Sequence, residues 1–119
     1  MIEIIKTACM ALDDKFGQDI VVLDISGVSV MADYFVIATG KNVTQIKTMA
    51  DEVMTQLHKI GRRVRHTEGY GSAQWVLLDF DDVIIHIFDE DSREFYNLER
   101  IWSDAKVLET GDWKLETRG

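Results

Sequence analysis

The chain has 119 residues, of which 46% are hydrophobic, and its 21 acidic and 13 basic residues give a net charge of −8. This length and composition indicate one globular domain with a modest core and argue against a disordered chain. The acidic excess argues against binding to an exposed nucleic-acid backbone, which needs basic patches, and no apolar run approaches the length that spans a bilayer.

The first predicted element is an amphipathic helix from about Ile2 to Phe16, which Gly17 is placed to end. Its apolar face consists of Ile5, Ala8, Leu12 and Phe16. The sole cysteine, Cys9, lies in this helix and cannot form an intramolecular disulfide. Its apolar neighbours favour a buried, inert thiol over a reactive one. Because no signal peptide is visible at residues 1–3, we expect a cytoplasmic protein.

Two strands and a second helix follow. The strands are predicted from Asp19 to Ile25 and from Tyr34 to Thr39. Asn42 can cap the second helix, and Gln45 can reach back to the cap from three residues later. The helix ends at Gly61, and its apolar stripe consists of Ile46, Ala50, Val53, Leu57 and Ile60.

A basic edge strand is predicted from Arg62 to Arg65, leading to Glu68–Gly69. Such an edge could also pair with a second copy of the chain. The next strand, Trp75–Asp79, is joined by a turn at residues 80–82 to its hairpin partner, Val83–Phe88.

The last predicted helix begins near Asp91 and Glu94, which suit its first turn, and ends near Trp102. Its buried stripe is predicted to be Phe95, Leu98, Trp102 and Ala105. Beyond residue 106 the pattern dissolves, so residues 1–106 are expected to form the domain and residues 107–119, with Trp113, a C-terminal tail. The order of elements predicts an α/β fold, with a mixed β-sheet flanked by α-helices.

An enzymatic interpretation depends on Gly71–Ser72 and on the aspartates at 79 and 81. A nucleotidyltransferase needs a Gly-Ser turn that holds a triphosphate and paired aspartates for metal ions. Here the Gly-Ser pair does not open a helix, and Asp79, Asp81 and Asp82 lie where a hairpin turn favours acidic residues. We therefore favour a turn over a metal site.

Three further side chains have both a structural and a functional interpretation. His86 interrupts an apolar strand, and it is either a buried histidine bonded to a neighbour or part of a partner-binding face. Trp75 begins a strand after a polar loop, which suits the core and an interface equally well. Arg93 is unfavourable near a helix N-terminus, which predicts an ion pair with Glu99 or Asp89.

The chain resembles the ribosomal silencing factor family, also called the Iojap-like family. The resemblance extends from about Ile2 to Ala105 and is carried by an ordered set of pieces rather than by one motif. These pieces are Ala32–Gly40, Glu68–Gly69, Trp75, Val83–Phe88 and Arg93–Glu99. The family relationship implies a single α/β domain with a nucleotidyltransferase-like topology.

The resemblance also implies a function. Proteins of this family bind the large ribosomal subunit through ribosomal protein uL14 and sterically block association of the subunits, which represses translation when nutrients are scarce. The chain is then not an enzyme, needs no cofactor or metal, contacts little nucleic acid directly and can form a homodimer. The alternative is a metal-dependent enzyme on the same nucleotidyltransferase-like scaffold. The partner-binding residues implied are Glu68, Trp75, Leu77, Asp79, Asp82, His86, Phe88 and Arg93.

One position departs from the family pattern. Asp81 stands where the family usually has glycine between the hairpin aromatic and the next aspartate. Glycine at such a point often supplies a positive φ, which aspartate tolerates less well. Either the turn is altered or Asp81 adopts a left-handed conformation.

Overall fold

A computed structural model describes residues 2–108 and contains one mixed sheet with helices on both faces. The strands lie in the order β3-β4-β5-β2-β1-β6; β2 and β5 are parallel and the other neighbours are antiparallel. This confirms the predicted α/β class. The elements are α1 (Ile2–Asp14), β1 (Gln18–Asp24), β2 (Tyr34–Thr39), α2 (Val43–Lys59), β3 (His66–Glu68), β4 (Trp75–Asp79), β5 (Val83–Phe88), α3 (Glu90–Tyr96), α4 (Leu98–Ile101) and β6 (Lys106–Leu108).

One face of the sheet is covered by α1 and α2. The predicted stripe of α2 is buried against it except for Ile60, which is exposed at the end of the helix. Cys9 is buried in the same core, and burial, with a smaller contribution from Asp13, raises the pKa of its thiol to about 12. Apolar side chains from two helices and four strands therefore form the larger of the two cores.

Within residues 2–108, the second face is covered only in its central part, by α4 and the segment that follows. Leu98 is buried here, and the Trp102 ring meets the Phe35 ring edge-on at 5.6 Å between centroids. Trp75 and Leu77 on β4 are only partly buried against this second core. The described residues therefore leave the β3-β4 end of the sheet partly uncovered on this face.

The start of α2 follows the prediction with one change. Asn42 Oδ1 accepts a hydrogen bond from the Gln45 backbone N–H at 2.8 Å. The Gln45 side chain does not bond the cap residue itself: its Oε1 accepts from the Lys41 N–H at 2.6 Å, and its Nε2 donates to the carbonyls of Lys15 and Phe16, both at 3.1 Å. One glutamine therefore joins the end of α1 to the start of α2.

The prediction that Phe16 belongs to the buried face of the first helix is wrong. The helix ends at Asp14, and Phe16 has a φ of 65° and an exposed side chain. The Gly17 N–H donates to the Leu12 carbonyl at 2.8 Å, which closes a Schellman-type helix end with Phe16 at the left-handed position. This geometry turns Phe16 away from the core.

The predicted strand from Arg62 to Arg65 is also wrong. Gly61 has a φ of 84°, and the Arg62 N–H still donates to the Leu57 carbonyl at 2.9 Å as part of the helix end. The chain joins the sheet only when the Arg65 N–H donates to the Asp79 carbonyl at 2.8 Å. The edge strand is β3, and it begins at His66.

The last predicted helix is divided in two. Asp89, not Asp91, caps α3 by accepting from the Ser92 N–H at 2.7 Å, and Asn97 breaks the helix with a φ of 46°. The break rotates Phe95 away from the buried stripe, so its inclusion there is wrong. The strand β6 pairs with β1, so the predicted tail begins inside a strand; Trp113 lies outside the described residues.

Candidate partner-binding surface

The side chains of β4 alternate between the two faces of the sheet. Val76 and Leu78 are buried on the α1-α2 side, whereas Trp75, Leu77 and Asp79 are partly exposed on the other side. The pairing of β3 with β4 places Glu68 opposite Leu77. Three of the predicted site residues, Glu68, Leu77 and Trp75, therefore lie together at the uncovered end of the sheet.

Trp75 is the centre of a cluster of aromatic rings. Its centroid lies 4.6 Å from that of Tyr96 and 4.9 Å from that of Phe88. Tyr96 in turn meets Phe95 edge-on at 5.1 Å. Phe95 is 81% exposed and Tyr96 45% exposed. We call Trp75, Leu77, Phe95 and Tyr96 the aromatic surface.

Phe95 and Tyr96 were not among the predicted site residues. The helical spacing predicts a core position for Phe95, because a continuous helix through Trp102 would bury it. The signal against that interpretation was Asn97, a residue that tolerates the left-handed conformation and so can end one helix and cap the next. The structure uses it in both ways.

His86 lies beneath Trp75. It is 3% exposed, and its Nδ1 accepts a hydrogen bond from the Trp75 indole Nε1–H at 3.0 Å. Burial lowers the pKa of His86 from 6.5 to about 4, so the ring is neutral near pH 7. The interpretation as a buried, bonded histidine is confirmed. His86 and the 1% exposed Phe88 offer no contact area in this conformation, which corrects the expectation that they touch a partner directly.

Gly69 makes room for the backbone of Trp75. It has a φ of 76°, and a Cβ at this position would overlap the Trp75 carbonyl oxygen. Glycine alone fits both the left-handed conformation and the close approach of the two backbones. The Glu68–Gly69 pair is thus part of the geometry that holds Trp75 at the start of β4.

Arg93 is occupied within the molecule. Its guanidinium forms a two-pronged pair with Glu99, from Nε at 3.2 Å and from Nη2 at 3.1 Å. Its Nη1 also donates to the Asp19 carbonyl at 2.6 Å and to the Thr39 hydroxyl at 2.9 Å. The pairing with Glu99 is therefore confirmed. Because the Arg93 side chain is only 13% exposed, its part in a contact would be to hold α3, which carries Phe95 and Tyr96.

The aspartates at the β4-β5 hairpin form a turn. Asp79 Oδ1 accepts from the Asp81 N–H at 2.7 Å, and Asp81 is left-handed with a φ of 78°. Asp81 pairs with Arg65, and Asp82 lies 3.8 Å from Arg62. Among residues 2–108, no three His, Cys, Asp or Glu side chains are arranged to hold a metal ion.

Two exposed acidic side chains lie beside the aromatic surface. Glu68 on β3 is paired with Leu77, and Glu94 is next to Phe95 on α3. Asp79 is half-buried at the far end of β4, and Asp82 lies at the hairpin near Arg62. An apolar aromatic centre within a charged rim is typical of protein–protein contact surfaces. No helix in the described part of the chain is long and apolar enough to cross a membrane.

A small α/β domain with this exposed aromatic surface is suited to contact with another macromolecule. The chain matches the family described as "Ribosomal silencing factor during starvation" over residues 1–119. It is also 42% identical over 106 residues to the ribosomal silencing factor RsfS of Bacillus subtilis, covering 89% of this chain and 90% of that protein. The chain belongs to the ribosomal silencing factor family.

Two solved structures have the same fold. A crystal structure of a Chromobacterium violaceum protein is 35% identical, with a TM-score of 0.85, covering 87% of this chain and 86% of that chain. A crystal structure of a Bacillus halodurans protein is also 35% identical, with a TM-score of 0.81, covering 92% of this chain and 99% of that one. These matches confirm the family resemblance and the fold predicted from the sequence.

Proposed function

We propose that this protein binds the large ribosomal subunit through ribosomal protein uL14 and, by occupying that site, prevents the subunits from joining. Membership of the ribosomal silencing factor family supports ribosome association and translational regulation. The structural observation that carries the proposal is the aromatic surface, where Phe95 is 81% exposed beside Tyr96 and Trp75. Tyr, Trp and Phe are enriched in protein–protein contact surfaces, and Trp and Tyr are enriched among the residues that dominate binding energy.

The partner should be a basic protein surface. The chain has a net charge of −8, and the exposed Glu68 and Glu94 lie beside Leu77 and Phe95 of the aromatic surface. Complementary charge steers association and orients the partners. Ribosomal protein uL14 on the large subunit fits this role, with direct nucleic-acid contact a minor contribution. Its site of action is then the cytoplasm, where ribosomal subunits join.

The first test is co-sedimentation of the purified protein with separated ribosomal subunits. We expect it to pellet with large subunits and not with small ones. Phe95→Ala should weaken binding about tenfold, which corresponds to about 1.4 kcal/mol. Phe16→Ala is a matched control, because Phe16 is also 81% exposed but lies at the end of α1 on the other side of the sheet. Equal loss in both variants would contradict the proposed surface.

Steric blocking has a quantitative signature. Inhibition of subunit joining, followed by light scattering, should saturate near one protein per large subunit and reverse when the protein is washed away. It should weaken with added salt if acidic-to-basic contacts steer binding. Inhibition that is complete at a small fraction of stoichiometry, or that persists after washing, would indicate chemical modification of the subunit instead.

The proposal includes the absence of catalysis. The carboxylate of Asp79 is engaged by the Asp81 N–H in a turn, as expected of a structural residue. We therefore expect no thermal stabilisation by ATP with magnesium or manganese. A ligand at about a hundred times its dissociation constant would stabilise the fold by about 2.7 kcal/mol. A rise in melting temperature that Asp79→Asn abolishes would support the nucleotidyltransferase-like alternative.

A homodimer is the remaining part of the proposal. The feature that supports it is β3, the exposed edge strand of the sheet. This strand begins at His66, so the segment 62–65 is not the edge that would pair with a second copy. An unpaired edge can be extended by a strand from a second copy. Sedimentation velocity over a range of concentrations tests this, and a monomer at all concentrations would contradict it.

A further inference from the structure

Trp75 has a polar attachment beneath the aromatic surface. The indole Nε1–H donates to His86 Nδ1 at 3.0 Å, and the imidazole is almost fully buried. Because Nδ1 accepts a hydrogen bond, it carries no proton, and the proton of the neutral ring must lie on Nε2. The hydrogen bond therefore fixes the tautomer of His86 as well as the direction of the indole N–H.

The imidazole is itself held in place by its neighbours. Its centroid lies 4.6 Å from the Phe35 ring, which it meets at a steep angle, and 6.2 Å from the Phe88 ring, to which it is nearly parallel. Phe35 and Phe88 are both buried. Because the ring cannot rotate, the lone pair of Nδ1 points in one fixed direction. The hydrogen bond therefore favours one orientation of the indole.

The other ring nitrogen of His86, Nε2, is buried at a cost in free energy. His86 Nε2 is buried and has no hydrogen-bond partner among residues 2–108. An unpartnered buried donor is unfavourable, and an apolar side chain at this place would avoid it. An apolar side chain would, however, leave the Trp75 N–H without its acceptor. Compared with an aliphatic side chain, histidine adds an acceptor for the indole N–H.

We propose that His86 is a positioning residue of the partner-binding surface, which orients the Trp75 indole before the partner arrives. This inference rests on the proposed function, because it takes the aromatic surface as the contact. The bond from below and the rings of Phe88 and Tyr96 together hold the indole in one rotamer. A preorganised side chain loses less conformational entropy when it binds. Without the bond, the partner would have to order the indole itself.

Three substitutions separate positioning from packing. His86→Leu removes the acceptor and keeps an apolar side chain of medium size. His86→Asn keeps an acceptor close to the position of Nδ1 and is the rescue variant. Trp75→Phe removes the donor and keeps an aromatic ring, so that a second substitution at His86 has no bond left to break.

The expected result on large-subunit affinity is a coupling between the two residues. His86→Leu should weaken binding about tenfold, and His86→Asn by less than about threefold. In the Trp75→Phe background, His86→Leu should add less than about a twofold loss. A loss from His86→Leu that is the same in both backgrounds would show that His86 acts by packing alone, and would overturn the proposal.

A measurement on the free protein keeps the inference testable apart from ribosome binding. In NMR spectra, the Trp75 Nε1–H resonance should be protected from solvent exchange in the wild type and in His86→Asn, and should lose that protection in His86→Leu. Unchanged protection in His86→Leu would overturn the inference even if the aromatic surface binds the subunit. A wild-type protein that shows the protected resonance but does not bind large subunits would overturn the proposed function instead.

Discussion

Gly69 and Trp75 approach each other so closely that a Cβ at residue 69 would overlap the Trp75 carbonyl oxygen. The contact joins the turn after β3 to the first residue of β4. Ala73 adds to it by donating its N–H to the Gly69 carbonyl at 2.9 Å. The backbone that carries the central residue of the aromatic surface therefore depends on a residue with no side chain.

Gly69→Ala should consequently destabilise the fold and displace Trp75. A left-handed residue with a Cβ costs about 1–2 kcal/mol, and the steric overlap adds to this. We expect a loss of about 2 kcal/mol or more in the free energy of unfolding, measured with denaturant. Gly71→Ala is the matched control, because a Cβ there meets nothing within 4 Å. Equal effects in the two variants would contradict the packing argument.

A second prediction concerns Arg93. Two of its four hydrogen bonds go to Glu99 on α4, and the other two link this segment to Asp19 on β1 and to Thr39 on β2. Arg93→Met should lower the free energy of unfolding by about 1–3 kcal/mol, the usual cost of leaving partners of a charged group unsatisfied. Large-subunit binding should weaken as well, because Phe95 and Tyr96 lie on α3.

Arg100→Met is the control for this prediction. Arg100 is exposed on α4, close to the same break in the helix. The substitution Arg100→Met removes the same charge from a neighbouring position but leaves the hydrogen bonds of Arg93 intact. If the two variants have the same stability and affinity, then the network around Arg93 does not hold the segment.

Local sequence patterns were sufficient for several elements. Tyr34–Thr39, Trp75–Asp79 and Val83–Phe88 were predicted with the bounds that the structure has. Each is a short apolar run with a polar or glycine boundary, and such a run has few alternatives to a buried strand. The cap at Asn42 was predictable for a similar reason, since it depends on residues three positions apart.

The division of the last helix and the exposure of Phe95 depend on long-range contacts, which local patterns do not contain. The break at Asn97 is held by Arg93, whose partners include Asp19 and Thr39 from distant parts of the chain. A helical period through Trp102 contains no information about those bonds, so Phe95 was assigned to the wrong side. The sequence indicates which side chains are candidates for the site. How far each of them is buried depends on how the second face of the sheet is packed, which local patterns do not predict.

The pH dependence of stability should reflect His86. Its pKa in the folded protein is about 4, below the ordinary value of 6.5. Between these values the unfolded chain binds a proton that the folded protein does not. The free energy of unfolding therefore does not depend on His86 ionisation above about pH 6.5, and it decreases as the pH falls from 6.5 towards 4. The slope should approach about 1.4 kcal/mol per pH unit.

The comparison that isolates this contribution is His86→Leu. Denaturant unfolding of both proteins between pH 4 and pH 7 should show that the wild type loses more stability on acidification than His86→Leu does. The exposed residues His58 and His66 are common to both proteins, so their contribution cancels. Parallel pH profiles would mean that the imidazole takes up a proton without unfolding.

The last prediction concerns Asp81, which adopts the left-handed conformation with a φ of 78° at the β4-β5 hairpin. This settles the choice between an altered turn and a left-handed aspartate in favour of the second. Asp81→Gly should be as stable as the wild type or more so, since glycine has no Cβ strain, whereas Asp81→Ala should be less stable than Asp81→Gly by about 1 kcal/mol. Asp81→Asn removes the ion pair with Arg65. Both side chains of this pair are largely exposed, and such pairs contribute only about 0–1 kcal/mol to stability. Thermal unfolding of the three variants checks the order. If alanine were as stable as glycine, the turn would have rearranged to a negative φ, and the hydrogen bond from the Asp81 N–H to Asp79 would no longer define it.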